Sequence, residues 1–333
     1  MAGTPDTQAS GRLGSHEGAV SASEYRMTAW FGHFGTEPGQ FNNPKGIALD
    51  GNGQLLVLDA SNTRVQRLNC DGGAIGAFGR YGSVNGQLAS PTALACGPGG
   101  RIYVADSGNA CISRYNRDGV HEVTFGGYGP GRGSFMLPSG IALSSDGSLF
   151  VADTNNTRVQ VLDADGKFIR QFGCIGSTSA PLRAPFGIAL GHDDLVYVTD
   201  RDGGNVQVYS QEGAFVRRFG SPGHGSGELQ NPLGIAVDPW GNVFVADSGN
   251  HRIQVFDSKG ADIGRFGERG SGPGRLHTPA AIAVNAAGDA FVADCENHRI
   301  HVFALDMEAK RTGLIAGFGM LAASCLARLG IRG

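Results

Sequence analysis

The chain has 333 residues, 55 of them glycine, with 8% aromatic and 17% charged side chains. This is the composition of short apolar segments joined by many tight turns, an all-β signature. A net charge of -3 excludes a chain that coats nucleic acid, DNA included, non-specifically. The absence of any run of about 18 apolar residues argues against a membrane-spanning helix.

In chain order, residues 1–25 are polar, lack the apolar core of a secretory signal, and read as a disordered lead-in. RMTAWFG (26–32) is strand-like. From there the chain repeats itself. Asp59, Asp106, Asp153, Asp200, Asp247 and Asp294 follow one another at intervals of 47 residues, and Pro44, Pro91, Pro138, Pro185, Pro232 and Pro279 keep the same step. The units start near residues 33, 80, 127, 174, 221 and 268. Six copies in register predict six copies of one structural module.

Each unit contains four strand patterns. In the fifth, PLGIAVD (232–238) is an apolar inner strand bounded by proline. Pro239-Trp240-Gly241 turns into NVFVAD, the SGNH turn gives RIQVFD, and Asp257-Ser258-Lys259-Gly260 turns into ADIGRFG. Four antiparallel strands repeated radially make a six-bladed β-propeller over residues 26–319, with 320–333 as a tail. The sixth unit has Gly313 where its Phe-Gly pair should stand. The simplest closure therefore takes residues 26–32 as the outer strand of blade six; GLIAGFG (313–319) is the competing segment.

The units resemble the NHL repeat, carried by NPLGIAVDPWGNVFVADSGNHRIQVFDSKGADIGRFG (231–267) and TPAAIAVNAAGDAFVADCENHRIHVF (278–303). The repeat builds the six-bladed propellers of tripartite-motif ligases, brain-tumour-type repressors, bacterial sensor domains and the peptide α-amidating lyase. The resemblance implies a fold, whereas function sits in sites grafted onto it. Two units depart from the pattern: Cys111 replaces the motif arginine in the second, and Gly203-Gly204-Asn205 replaces the asparagine–arginine pattern in the fourth.

Residues present in most units read as structural, since one ligand site does not need six copies. Asp59 with Arg64, Asp153 with Arg158, Asp247 with Arg252 and Asp294 with Arg299 are expected to latch the turns between second and third strands. The lyase resemblance implies histidines converging on zinc. The channel-mouth positions here are Lys45, Thr92, Ser139, Phe186, Leu233 and Ala280, a poor donor set for zinc or calcium, and His33, His224 and His277 fall at different phases of the repeat. No cofactor or metal is expected.

Turns between second and third strands share one rim, the top, with the loops that lead into each inner strand. Arg80, Arg132, Arg183, Arg269 and Arg275 lie in those loops, Tyr81 and Tyr128 stand at matching phases, and acids crowd the opposite rim. Lys45, these arginines and tyrosines, and the turn-tip His251 and His298, expected to be exposed, form the candidate partner surface. The expectation is a non-catalytic, monomeric scaffold that binds a protein through its top face, with single-stranded RNA as the alternative and a lyase or lactonase as the outsider. The six cysteines form no C-x-x-C pair, which suits reduced thiols in the cytoplasm.

Overall fold

A computed structural model describes residues 25–174, 176 and 181–305. Six four-stranded antiparallel sheets stand around a central axis. The inner strands run from Pro44, Pro91, Pro138, Pro185, Pro232 and Pro279. Proline suits the first residue of a strand, where no ladder donor is lost, and in every blade the register shifts just after it. The shift brings small residues to the axis. A Cβ added at Gly140 would lie 2.0 Å from the carbonyl oxygen of Phe186 in the next blade, and one at Gly187 would lie 2.3 Å from that of Leu233. The repeated small position is thus set by backbone crowding between inner strands.

The core is divided into six apolar clusters, one at each blade junction. Phe41, Ile47 and Leu55 of blade one pack on Phe291, Ile300 and Val302 of blade six, so the ring is sealed by the same kind of contact that separates its other blades. Hydroxyls add bridges near the channel. Thr92 donates to the carbonyl of Pro138, Thr154 to Pro185 and Thr199 to Leu233, each at 2.7 Å, and Ser248 donates to Pro279.

Closure is N-terminal. The strand Tyr25–Phe31 pairs antiparallel with Arg299–Leu305, placing Phe31 opposite Ile300 and Trp30 opposite His301. The buried Tyr25 ring stacks on Phe266 at 5.1 Å, and its hydroxyl donates to the carbonyl of Gly288 at 3.1 Å. This strand covers the outer edge of blade six. The lead-in up to residue 24, GLIAGFG (313–319) and the tail 320–333 lie outside the described residues. No described helix is long and apolar enough to cross a membrane.

The repeated aspartates are fully buried and hold each top turn to the loop leading into the blade. Asp59 accepts the Asn42 N–H at 2.7 Å, the Asn62 amide at 2.9 Å and Arg64 Nε at 2.8 Å. Arg64 in turn donates to the carbonyls of Thr36, Glu37 and Gln40. The same ion pair joins Asp153 to Arg158 at 2.8 Å, Asp247 to Arg252 at 2.7 Å and Asp294 to Arg299 at 3.1 Å. In blade two, where Cys111 stands, Asp106 keeps the N–H groups of Ala89 and Ser90 but has no arginine. In blade four Asp200 likewise takes Arg183 and Ala184 N–H.

Candidate active site

The central channel is the first place to look for a site in such a ring. It encloses about 270 Å³, and its walls are mostly backbone and apolar side chains of the inner strands. Of the mouth positions, Lys45, Thr92, Ser139, Phe186 and Ala280 line it. Thr92 spends its hydroxyl on Pro138, and Ser139 is buried against the Thr154 hydroxyl at 2.6 Å. Among the described residues Lys45 is the one charged side chain lining the cavity. Among the described residues no three His, Cys, Asp or Glu side chains gather into a set able to hold a metal ion, so these residues do not fit a metal-centred site.

A denser cluster lies on the top rim, between blades five and six. His251 ends the turn Ser248–Asn250 in the left-handed conformation, φ 56°, with its N–H on the carbonyl of Ser248. That geometry aims the imidazole across the junction. Its Nδ1 accepts the N–H of Thr278 at 3.0 Å, which fixes the neutral tautomer with hydrogen on Nε2. Burial holds the imidazole below its ordinary pKa, helped by the Arg269 guanidinium and by His277 against the pull of Asp294 and Asp247. His277 is fixed by its own backbone, whose N–H donates to Asp294 at 2.7 Å. Its ring stands 5.3 Å from that of His251, centroid to centroid, and makes no hydrogen bond to the described residues. One imidazole with a fixed N–H donor, one with an open nitrogen, and a guanidinium beside them are the parts of an acid–base site.

His251 and His298 are half-buried at the junctions, because each bonds the next blade; the expectation that they are exposed turn tips fails for that reason. His298 Nδ1 accepts the Asn43 N–H at 3.1 Å and its ring meets Phe34 edge-on at 5.1 Å. Tyr81 and Tyr128 are 76% and 79% exposed. Arg80, Arg183 and Arg269 are exposed as well. Arg132 lies over the Phe168 ring at 5.2 Å, and Arg275 pairs with Glu268 at 2.9 Å in an exposed contact. His33 meets Gln40, and His224 meets Asn250 at 2.6 Å. The three histidines at different phases thus do not converge with one another, but His277 converges with His251, a pairing that phase alone concealed. The loop contact that recurs in five blades joins each turn asparagine to the loop 27 residues before it, as Asn62 meets Gly35 and Asn250 meets Gly223. His277 instead follows His251 in the next blade's loop, so the repeat gave no direct signal for the pair.

The NHL repeat model matches residues 41–68, 88–115, 135–162, 229–256 and 276–303. The chain belongs to the NHL-repeat β-propeller family. The one blade without a match is the fourth, where Gly203-Gly204-Asn205 removes the latch arginine. No curated protein matches this NHL-repeat chain in sequence. Among solved structures, virginiamycin B lyase from Staphylococcus aureus is 15% identical, with a TM-score of 0.58 over 84% of this chain and 99% of that one. A catalytically inactive histidine-to-alanine variant of that lyase, solved with quinupristin, is 17% identical over 86% and 90% of the two chains, TM-score 0.58. A gluconolactonase from Xanthomonas campestris is 20% identical over 80% and 88%, TM-score 0.61.

These neighbours overturn the expectation of a non-catalytic scaffold that presents its top face to a protein or to single-stranded RNA. At this identity the likeness is one of fold, and the three solved propellers named above are two lyase structures and a gluconolactonase. The expectation rested on a ring with no catalytic constellation, its nearest histidines His33, His224 and His277 falling at three phases of the repeat. The imidazole pair is built from two phases that meet only across a junction.

Proposed function

We propose that this propeller is an enzyme that opens a cyclic ester by elimination, at the junction of blades five and six. The observation that carries the proposal is the pairing of His277, with an open ring nitrogen, with His251, whose N–H donor is fixed by Thr278. In such a reaction His277 takes the proton from the carbon α to a carbonyl. The electrons of that C–H bond form a C=C bond, and the ester oxygen on the β carbon leaves as a carboxylate with the C–O electrons. In this reading His251 Nε2–H and the Arg269 guanidinium stabilise the negative charge that develops on oxygen. The neutral imidazole donor follows from the burial and cationic neighbours that hold His251 below its ordinary pKa.

The lyase neighbours support elimination, and the gluconolactonase neighbour supports hydrolysis of a small lactone as the second reading. Mass spectrometry separates the two. Elimination opens a ring with no change in mass and adds unsaturation, whereas hydrolysis adds one water. A cyclic depsipeptide such as quinupristin and an aldonolactone are the two probes. Loss of turnover in His277→Ala, by roughly 10²–10⁴-fold for a general base, is expected; an intact rate in that variant, or no turnover of either probe, would sink the reading. Five free cysteines among the described residues support a reducing compartment such as the cytoplasm.

A further inference from the structure

The six junctions are not fastened alike. On the bottom rim, directly opposed positions of the third and outer strands supply one arginine per blade in blades one to four. It comes from the third strand at Arg67 and Arg114, opposite Gly76 and Val123, and from the outer strand at Arg170 and Arg217, opposite Val161 and Val208. All four reach the same place. Arg67 donates to the carbonyl of Arg117, Arg114 to Ala164, Arg170 to Gln211 at 2.8 Å and Arg217 to Ser258, acceptors that follow one another at the repeat step in the next blade. In blade five the opposed pair is Val255 and Gly264, and in blade six Val302 and Ala29. Neither pair holds an arginine.

Those two junctions are the ones bridged on the top rim by histidine: His251 to the Thr278 N–H, and His298 to the Asn43 N–H. Thr63, Ala110, Thr157 and Gly204 hold the same turn position in the other blades, in the same left-handed conformation, and among the described residues none makes such a bridge. The division isolates blade six, whose outer strand is the N-terminal Tyr25–Phe31. The thiol of Cys295 meets the Asn43 side chain at its junction with blade one.

We infer that blade six is an acid-releasable segment of the ring, held at both junctions by imidazole acceptors where the other blades are held by permanently charged arginine donors. An imidazole accepts a backbone N–H through Nδ1 only while that nitrogen is unprotonated; guanidinium straps do not titrate. Around His251 stand Arg269, His277, Asp247 and Asp294. His298 meets Phe34 and the Asn43 N–H of blade one, and Lys45, Glu296 and Asp294 stand around its neighbour Cys295. The sign follows from His251, which is held below its ordinary value when folded. The unfolded imidazole, near 6.5, takes the proton first, so the strap contributes in full above that pH and its contribution is lost progressively as pH falls from there through the lower folded value. This inference does not rest on the enzymatic reading, and its readout is closure of the ring.

Hydrogen exchange of the full chain at pH 7.5 and 5.5, corrected for the intrinsic pH dependence of exchange, tests it. Protection of amides in 25–31 and 279–305 is expected to fall at pH 5.5 by roughly fivefold for each strap lost, the worth of one hydrogen bond, while blades two to four keep theirs. His251→Gln with His298→Gln, whose side-chain carbonyl accepts without titrating, should abolish the difference. If that variant does not fold, Gly264→Arg with Ala29→Arg restores the missing bottom straps and should shrink it. A loss shared equally by blades two to four, or one that persists unchanged in a folded variant of either kind, overturns the inference.

Discussion

The bottom of blades one to four and the top of blade six join neighbours with different chemistry, although both use one side chain to reach the next blade's backbone. The arginine straps place a delocalised, always-charged donor on a carbonyl. The histidine straps place a neutral acceptor beneath an N–H. A repeat architecture needs every junction to hold, but it does not need the same bond at each. Where the bond changes, at blade six, the chain also joins its N-terminal strand to the ring and brings His251 beside His277.

The largest expected effect lies outside that difference and calibrates it. Arg158→Ala leaves the fully buried Asp153 without its cation, which should cost about 3–5 kcal/mol by denaturant unfolding. Arg299→Ala does the same to Asp294, except that buried His301 stands 3.3 Å from that carboxylate where blade three has Gln160, so a gap between the two would report that exchange. Arg170→Ala removes a charge-assisted bond to Gln211 and is expected to cost about 1.5–3 kcal/mol, with the same value at pH 5.5 and 7.5. His251→Ala should cost about 0.5–1.5 kcal/mol at pH 7.5 and less at pH 5.5; a constant cost would erase the distinction. Arg275→Ala breaks an exposed pair with Glu268 and should change stability by less than about 1 kcal/mol, less still in high salt.

How much of this could be read in the sequence follows from the period. A strict 47-residue step exposes the blades, the inner prolines and the aspartate–arginine pairs, because their partners sit within one unit or one loop of it. Closure by Tyr25–Phe31 was legible from a missing Phe-Gly in the last unit. The straps were hidden because Arg67 and Arg170 occupy different phases, and only the cross-strand register that pairs Arg67 with Gly76 and Arg170 with Val161 makes them equivalent. The imidazole pair was hidden for the same reason. His251 shares its phase with His298, yet its chemical neighbour is His277, in a loop of the following unit. Alignment of repeats finds what blades have in common, whereas the site arises where two blades differ and touch.

Incubation of the purified chain with quinupristin, followed by mass spectrometry of the product, puts elimination at the junction of blades five and six to the test. A ring-opened product of unchanged mass with new unsaturation is predicted, formed by the native chain and lost in His277→Ala. Persistence of the intact ring with the native chain, or equal product from the His277→Ala variant, would contradict it.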